Sequence, residues 1–294
     1  MDVVITYVDG LDPLWRQSYE TCLGKVLLEK RYRDWGTLKY LLRGIEQCMP
    51  FIDNVFLVVS GESQVPSWAS EHLKVVLHSD IIPSEFLPVF NSTAIEMFLH
   101  RIPGLSEQYI YFNDDFFPLN PMKATDFFEE GKIRLNFSPH RHVSNQYMRH
   151  VRNSDALARK ALGLHAAPTF LRPQHSCAPM LRSGSERVYA AVEKEILSSV
   201  TRTREDRNLN QYLFQDYLYY KGLALRRTFR TGHISLALGP LCRIKWLVLH
   251  SKVKVMCIND VQMPSRRYCR YRRGLLEAFE TKFPRRSRFE RGED

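Results

Sequence analysis

Tyr109-Ile-Tyr-Phe-Asn-Asp-Asp-Phe-Phe117 decides the fold. Tyr109 to Phe112 is a short run of aromatic and β-branched residues bounded by polar ones, the pattern of a buried strand. The run stops at Asn113-Asp114-Asp115. Two adjacent carboxylates at a strand end can hold a hard divalent cation through oxygen ligands. Such a cation can neutralise a diphosphate while a group is transferred. The same residues also suit a plain polar turn, and the stretch alone does not separate the two readings.

Upstream, strands and helices alternate. Val3 to Val8 predicts a strand that ends at Asp9-Gly10, with Asp12-Pro13 just beyond. Leu38, Leu41, Leu42 and Ile45 recur at helical spacing behind Asp34, a candidate N-cap. Arg31 and Arg33 precede that helix, placed to meet a phosphate or simply to be solvated. Val55–Val59 and Lys74–Leu77 predict two more strands, ended by Ser60-Gly61 and His78-Ser-Asp80. Asn91-Ser-Thr93 opens a helix whose apolar face carries Ala94, Ile95, Phe98, Leu99 and Ile102. Glu96 falls early in it, near the positive end of the dipole, and reads from position alone as a capping carboxylate. The order strand, helix, strand, strand, helix, strand predicts an α/β fold with a mostly parallel sheet. The polar clusters at strand exits share the edge on which such sheets bind ligands.

Past Met122 the pattern changes. A strand is expected over Arg134–Phe137, a short helix over Ala156–Leu164, and an irregular stretch around His175-Ser-Cys-Ala-Pro179. Helices are expected over Glu186–Ser199 and Leu209–Lys221. Trp246–Leu249 and Val253–Ile258 read as late strands, the second ending in Asn259-Asp260. Pro264 to Asp294 holds ten basic and five acidic residues, with arginines interleaved by Tyr268 and Tyr271. Such a segment suits an anionic membrane surface or a solvated tail.

The 294 residues are 44% hydrophobic, enough for a sizeable core, and carry a net charge of +10. That balance suits an anionic partner: a nucleotide-sugar, an acidic lipid face or nucleic acid. The six cysteines include no CxxC pair, which removes the common zinc and redox motifs. Walker A, GxGxxG, HExxH and GxSxG motifs are absent. The start lacks a signal peptide's features and no apolar run reaches bilayer length. A cytoplasmic protein, at most peripheral to the inner face of the membrane, is the expectation.

Four stretches, in order, resemble the conserved regions of the Stealth family of sugar-phosphate transferases. These are Val4-Ile-Thr-Tyr-Val-Asp-Gly-Leu-Asp-Pro13, Arg31 through Met122, His175 to about Tyr220, and Lys254-Val-Met-Cys-Ile-Asn-Asp260. The second carries Arg31-Tyr-Arg-Asp34, Leu87-Pro-Val-Phe-Asn-Ser-Thr-Ala-Ile-Glu96, His100-Arg-Ile-Pro-Gly-Leu-Ser106 and Tyr111-Phe-Asn-Asp-Asp115. The family includes bacterial capsular polysaccharide phosphotransferases and the animal GlcNAc-1-phosphotransferase α/β subunits.

The resemblance implies a glycosyltransferase type A-like nucleotide-binding sheet with helical elaboration. It implies a catalytic domain over 1–263, a helical insertion over about 150–225, and a basic tail over 264–294. The implied reaction moves a sugar 1-phosphate, GlcNAc-1-phosphate or another hexose 1-phosphate, from a UDP-sugar to a hydroxyl of an acceptor glycan and releases UMP. Asp115, with Asp114, Asn259 and Asp260, would hold Mg²⁺ or Mn²⁺. Glu96 becomes an active-site carboxylate, against the capping reading. His175 would be the general base and Arg202 would meet the phosphoryl oxygens, with Arg204 and Arg207 as rivals. Asp9, Asp12, Arg31, Arg33 and Asn91 would bind substrate. Ser176-Cys177-Ala178 before Pro179 departs from the family pattern around His175.

Two other classes remain. A conventional metal-dependent glycosyltransferase shares the carboxylates and would release UDP. A basic nucleic-acid or lipid binder would explain the charge, but that charge is concentrated in the tail, so no nucleic-acid partner is expected.

Overall fold

The computed structural model describes residues 1–24, 32–236 and 239–292, and Arg31 lies outside them. The apolar runs that begin at Val3, Val55, Lys74 and Tyr109 become strands, the first ending at Thr6 rather than Val8. β1 (Asp2–Thr6) is buried along its whole length. Behind it, Gly10 N donates to the Tyr32 carbonyl at 2.8 Å. A Cβ on Gly10 would lie 2.2 Å from that oxygen, so only glycine fits the approach. α1 (Pro13–Leu23) was not expected, yet its marks are in the sequence. Asp12 caps it by accepting from Leu14 N at 3.0 Å, and Pro13 takes the first turn, where a missing N–H is harmless.

α2 (Leu38–Cys48) buries Leu38, Leu41, Leu42 and Ile45 as the spacing predicts. It starts at Thr37 rather than Asp34, whose carboxylate accepts from Gly36 N at 2.9 Å in a local turn. β2 (Asn54–Val59), β3 (Leu73–Leu77) and the short α3 (His78–Ile81) follow. α4 (Ser92–Glu96) is capped by Asn91 and is shorter than its apolar face suggested, because a 3₁₀ turn over Leu99–Arg101 replaces its second half. β4 (Gln108–Asn113) then turns at Asp114-Asp115 into β5 (Phe116–Pro118).

The rest runs β6 (Phe128–Glu129), β7 (Lys132–Arg134), β8 (Phe137–His140), α5 (Gln146–Ala161), β9 (Phe170–Pro173), β10 (Ala178–Leu181), α6 (Arg182–Ala191) and α7 (Glu193–Ser199). α8 (Tyr212–Tyr220), β11 (Ala224–Leu225), β12 (Thr231–Ser235), α9 (Leu241–His250), β13 (Val255–Asn259) and α10 (Ser265–Lys282) complete it. The expected strand over Trp246–Leu249 is helical, inside α9. Four consecutive apolar residues do not distinguish the two states. The burial does: Ile244 and Val248, one turn apart, are buried while Trp246 is 58% exposed.

The fold is mixed α/β. Its main sheet has the order β10-β4-β1-β2-β3, with β10 antiparallel to β4. A second sheet, β12-β13-β5, pairs β12 parallel and β5 antiparallel to β13. The chain divides into two units. The first comprises 1–4, 76–111 and 125–228; the second comprises 5–75, 112–124 and 229–294.

In the first unit, Met148, Val151, Phe170 and Tyr212 form a buried cluster joining α5, β9 and α8. In the second, the segment expected as a tail is α10, packed against α9. Its Phe279 is fully buried and meets the rings of Tyr40 at 5.6 Å and Phe117 at 4.5 Å. The buried Arg43 guanidinium grips Glu290 with two bonds of 2.8 Å and donates to the Phe283 carbonyl at 2.8 Å. Among the described residues no helix is long and apolar enough to cross a membrane.

Candidate functional site

The second unit gathers carboxylates from separate strand exits. The register of β5 on β13, Phe116 opposite Cys257, sets Asp115 beside the end of β13. Ile258 N donates to the Asp115 carbonyl at 2.9 Å, and Cys257 Sγ donates to Asp115 Oδ2 at 3.5 Å. Asp260 follows directly, so two acidic exits far apart in sequence meet through one strand pair.

The electrostatics of this group are unfavourable as it stands. Withdrawal from water, then the charges of Asp115, Asp34 and Asp260, push the Asp114 carboxyl up to about 8. Burial pushes Asp115 up to about 6. Asp34 and Asp260 are raised by burial too, and Trp35 and Arg33 only partly relieve Asp260. Asp115 Oδ1 and Asp260 Oδ2 are buried without a hydrogen-bond partner. Unsatisfied buried oxygens on mutually repelling carboxylates fit a hard divalent cation. No three His, Cys, Asp or Glu side chains among the described residues form a closed cage. A cation such as Mg²⁺ needs only one or two carboxylates, with water and substrate phosphate in its remaining positions.

The other residues expected here are placed as follows. Asn259 is exposed at the last position of β13. The Arg33 guanidinium lies 4.5 Å over the Tyr268 ring. Asp9 Oδ1 accepts from Leu11 N at 2.8 Å and its charge raises Asp34. Asp12 is bound up in structure. Besides capping α1, its Oδ2 accepts from Ser63 Oγ and Gln64 Nε2 at 2.6 Å each. Burial would raise it, but these bonds hold it below the usual carboxylate range.

The first unit holds the remaining candidates. Glu96 is 6% exposed and ends α4 rather than beginning it, which overturns the capping reading. Its Oε2 accepts from Gln211 N at 2.8 Å and its Oε1 from the Tyr111 hydroxyl at 3.4 Å. Burial pushes it up to about 7 against the pull of Gln211 N, Arg204 and Tyr111. Asn91, fully buried, donates through Nδ2 to the carbonyls of Thr201 (3.3 Å) and Thr203 (3.2 Å) and to Asn208 Oδ1 (3.1 Å). It therefore ties α4 to the 201–208 loop.

That loop carries the three candidate arginines. Arg202, exposed, donates to the Leu87 carbonyl at 3.3 Å, and Arg207 pairs with Glu205 at 3.1 Å. Arg204 donates to Ser92 Oγ at 2.8 Å, and it is the arginine whose charge acts on Glu96.

His175 Nδ1 lies 3.3 Å from the Tyr212 hydroxyl, which in turn is 2.8 Å from the Tyr147 hydroxyl. The next two residues are fixed by Arg227, 3% exposed, which donates to Ser176 Oγ and to the Cys177 carbonyl at 2.9 Å each. Sequence reasoning passed over Gln211, Tyr212 and Arg227. A run of polar residues entering an aromatic helix, Asn208-Leu-Asn-Gln-Tyr212, was the available signal. Two other histidines of this unit have partners of their own: His140 with Ser138 at 3.1 Å, His150 with the Glu205 carbonyl at 2.7 Å.

A family model described as Stealth protein CR2, conserved region 2, matches residues 31–135. The chain is 33% identical over 305 residues to the capsular polysaccharide phosphotransferase WcwK of Streptococcus pneumoniae, covering 89% of this chain and 90% of that one. It is 34% identical over 306 residues to the receptor polysaccharide phosphotransferase WefC of Streptococcus oralis, covering 88% and 90%. Among solved structures, the galactosyltransferase LgtC in complex with donor and acceptor sugar analogs matches 96% of each chain at 11% identity and a TM-score of 0.46.

Proposed function

Because the chain belongs to the Stealth family and is a phosphotransferase, we propose that it moves a sugar 1-phosphate, GlcNAc-1-phosphate or another hexose 1-phosphate, from a UDP-sugar to a hydroxyl of an acceptor glycan in capsular polysaccharide synthesis. The observation that carries the donor side is the group of repelling carboxylates at Asp114, Asp115 and Asp260, with two buried oxygens lacking partners. Asp115 and Asp260, with Asp114 and Asn259 beside them, would hold Mg²⁺ or Mn²⁺. A bound divalent cation supplies charge neutralisation on the diphosphate. Arg31 and Arg33 would meet phosphate oxygens, and Asp9 would face the nucleotide. Residues 1–263 would make up the catalytic domain, with α10 packed into it and 150–225 as its helical insertion.

On the acceptor side, His175 takes the proton of the attacking hydroxyl. The hydroxyl oxygen forms a bond to the β-phosphorus as the bond from that phosphorus to the α–β bridging oxygen breaks. The electron pair stays on UMP, which leaves. Glu96, about half protonated near pH 7 at its raised value, and Arg202 or Arg204 would steady the phosphoryl oxygens. The exposed arginines of α10, Arg266, Arg270 and Arg273, would rest the protein on an anionic inner membrane face.

The nucleotide product tests the reading. Purified protein supplied with UDP-GlcNAc, Mg²⁺ and candidate acceptor glycans should release UMP and give a phosphodiester-linked product. UDP as the sole nucleotide, with no phosphate in the product, would make the enzyme a conventional glycosyltransferase.

A further inference from the structure

The segment Asn208-Leu-Asn-Gln-Tyr212 touches three of the candidate residues at once: Asn208 holds Asn91, Gln211 N holds Glu96, and the Tyr212 hydroxyl meets His175. Tyr212 is 2% exposed and sits in the cluster of Met148, Val151 and Phe170, so its ring cannot swing away. Its backbone N is pinned to Asn210 Oδ1 at 3.2 Å, and Asn210 is held in turn by Ser154. A hydroxyl fixed this firmly against one imidazole nitrogen sets which nitrogen of that ring carries the proton.

We propose that Tyr212 and Tyr147 form a positioning relay that holds His175 in the Nδ1–H tautomer and so leaves Nε2 as the basic nitrogen. The inference rests on the reading of His175 as general base. That reading sets the direction. Nδ1 is the nitrogen turned toward the Tyr212 oxygen, 3.3 Å away, and an imidazole can take a proton on Nε2 only while Nδ1 carries its own. The 2.8 Å between the two tyrosine oxygens is the usual O–H···O length. His175 Nδ1–H therefore donates to Tyr212, whose single proton goes on to Tyr147.

Tyr212 does not act as an anion here. Burial, then the neighbouring Tyr147 and Glu96, hold the Tyr212 hydroxyl well above its ordinary range, with Arg172 acting in the opposite sense. The Arg172 guanidinium lies 5.8 Å over the Tyr147 ring. The relay thus orients the base without supplying charge, unlike a carboxylate in the equivalent place. Reversing it, with Tyr147 donating to Tyr212 and Tyr212 to Nδ1, would put the proton on Nε2 and block the base.

The test reads the His175 ring by ¹⁵N–¹H correlation NMR in the full chain, above the ring's titration. Wild type should show Nδ1 protonated and Nε2 bare. Tyr212→Phe removes one oxygen from a ring that keeps its shape, and the proton should move to Nε2. Turnover should fall about tenfold to a hundredfold, part of what a general base contributes, with the KM for donor unchanged. If Tyr212→Phe does not fold, the half-buried Tyr147→Phe serves. There the Tyr212 proton loses its acceptor and turns to His175 Nδ1, again moving the ring proton to Nε2. A wild-type ring protonated on Nε2, or a ring signature unchanged in the variant, overturns the relay. Near-normal turnover in His175→Ala would instead remove the base assignment, and the ring signature would still decide the relay by itself.

Discussion

Asp114 and Asp115 do opposite things for stability and for function. A carboxyl whose folded value lies above its unfolded one favours the fold while protonated. That support is complete below the unfolded value near 3.8 and is lost as pH rises through the folded value, about 8 for Asp114. At pH 8 the metal-free protein therefore bears a charge it would be more stable without. Asp114→Asn should raise its melting temperature there by about 2–4 °C, the effect of roughly 1 kcal/mol, with little gain at pH 4. Mg²⁺ should raise the melting temperature of wild type and do so much less for Asp115→Asn, which should also lose transfer. A lower melting temperature for Asp114→Asn would mean that the carboxylates are not in conflict. These residues were legible because strand exits announce themselves: an apolar run stops and acids follow. Tyr212 was not. It lies 37 residues from His175 in sequence, on a helix whose aromatic periodicity says only that it is buried.

At the scale of elements, the legible parts are those with one physical solution. The β4 run of aromatic and β-branched residues could only be a buried strand. α9 is not legible in this way: Trp246 to Leu249 is apolar throughout, and its helical phase shows only in which residues are covered. Arginines dominate the surface of α10 and give its sequence the look of a tail. What fixes it is Phe279, Phe283 and Phe289, all buried, and the ion pair of Arg43 with Glu290. Burial acts to raise Glu290, but Arg43 and Ser287 hold it below its ordinary 4.5. That stabilisation is present above 4.5 and is lost as pH falls through the lower folded value. Arg43→Ala, which leaves Glu290 buried and unpaired, should cost about 3–5 kcal/mol in urea unfolding at pH 7. The deficit should shrink as pH falls through the lowered Glu290 value, because protonation removes the buried charge from both proteins. Glu280, with a side chain 51% exposed, should contribute little by comparison.

For the whole molecule, surface charge and chain path matter most. Arg266, Arg270 and Arg273 are exposed on α10, whose Phe279 is buried. Changing all three to Glu should leave the melting temperature near wild type and sharply reduce sedimentation with anionic vesicles, since each basic residue at such a surface contributes about 1 kcal/mol. Unchanged vesicle binding would remove α10 from any membrane contact. The chain path has a consequence of its own. Neither unit is a continuous piece of chain, and the boundary between them is crossed in sequence at 4, 75, 111, 124 and 228. As the chain emerges from the ribosome, every segment of the first unit is available once residue 228 is out. The second must wait longer, because Arg43 meets its carboxylate partners only when residues 280 and 290 arrive. For the last part of synthesis α2 therefore carries a buried-type arginine with no acid to receive it, and a chaperone that shields this unit would act on the nascent chain at that stage.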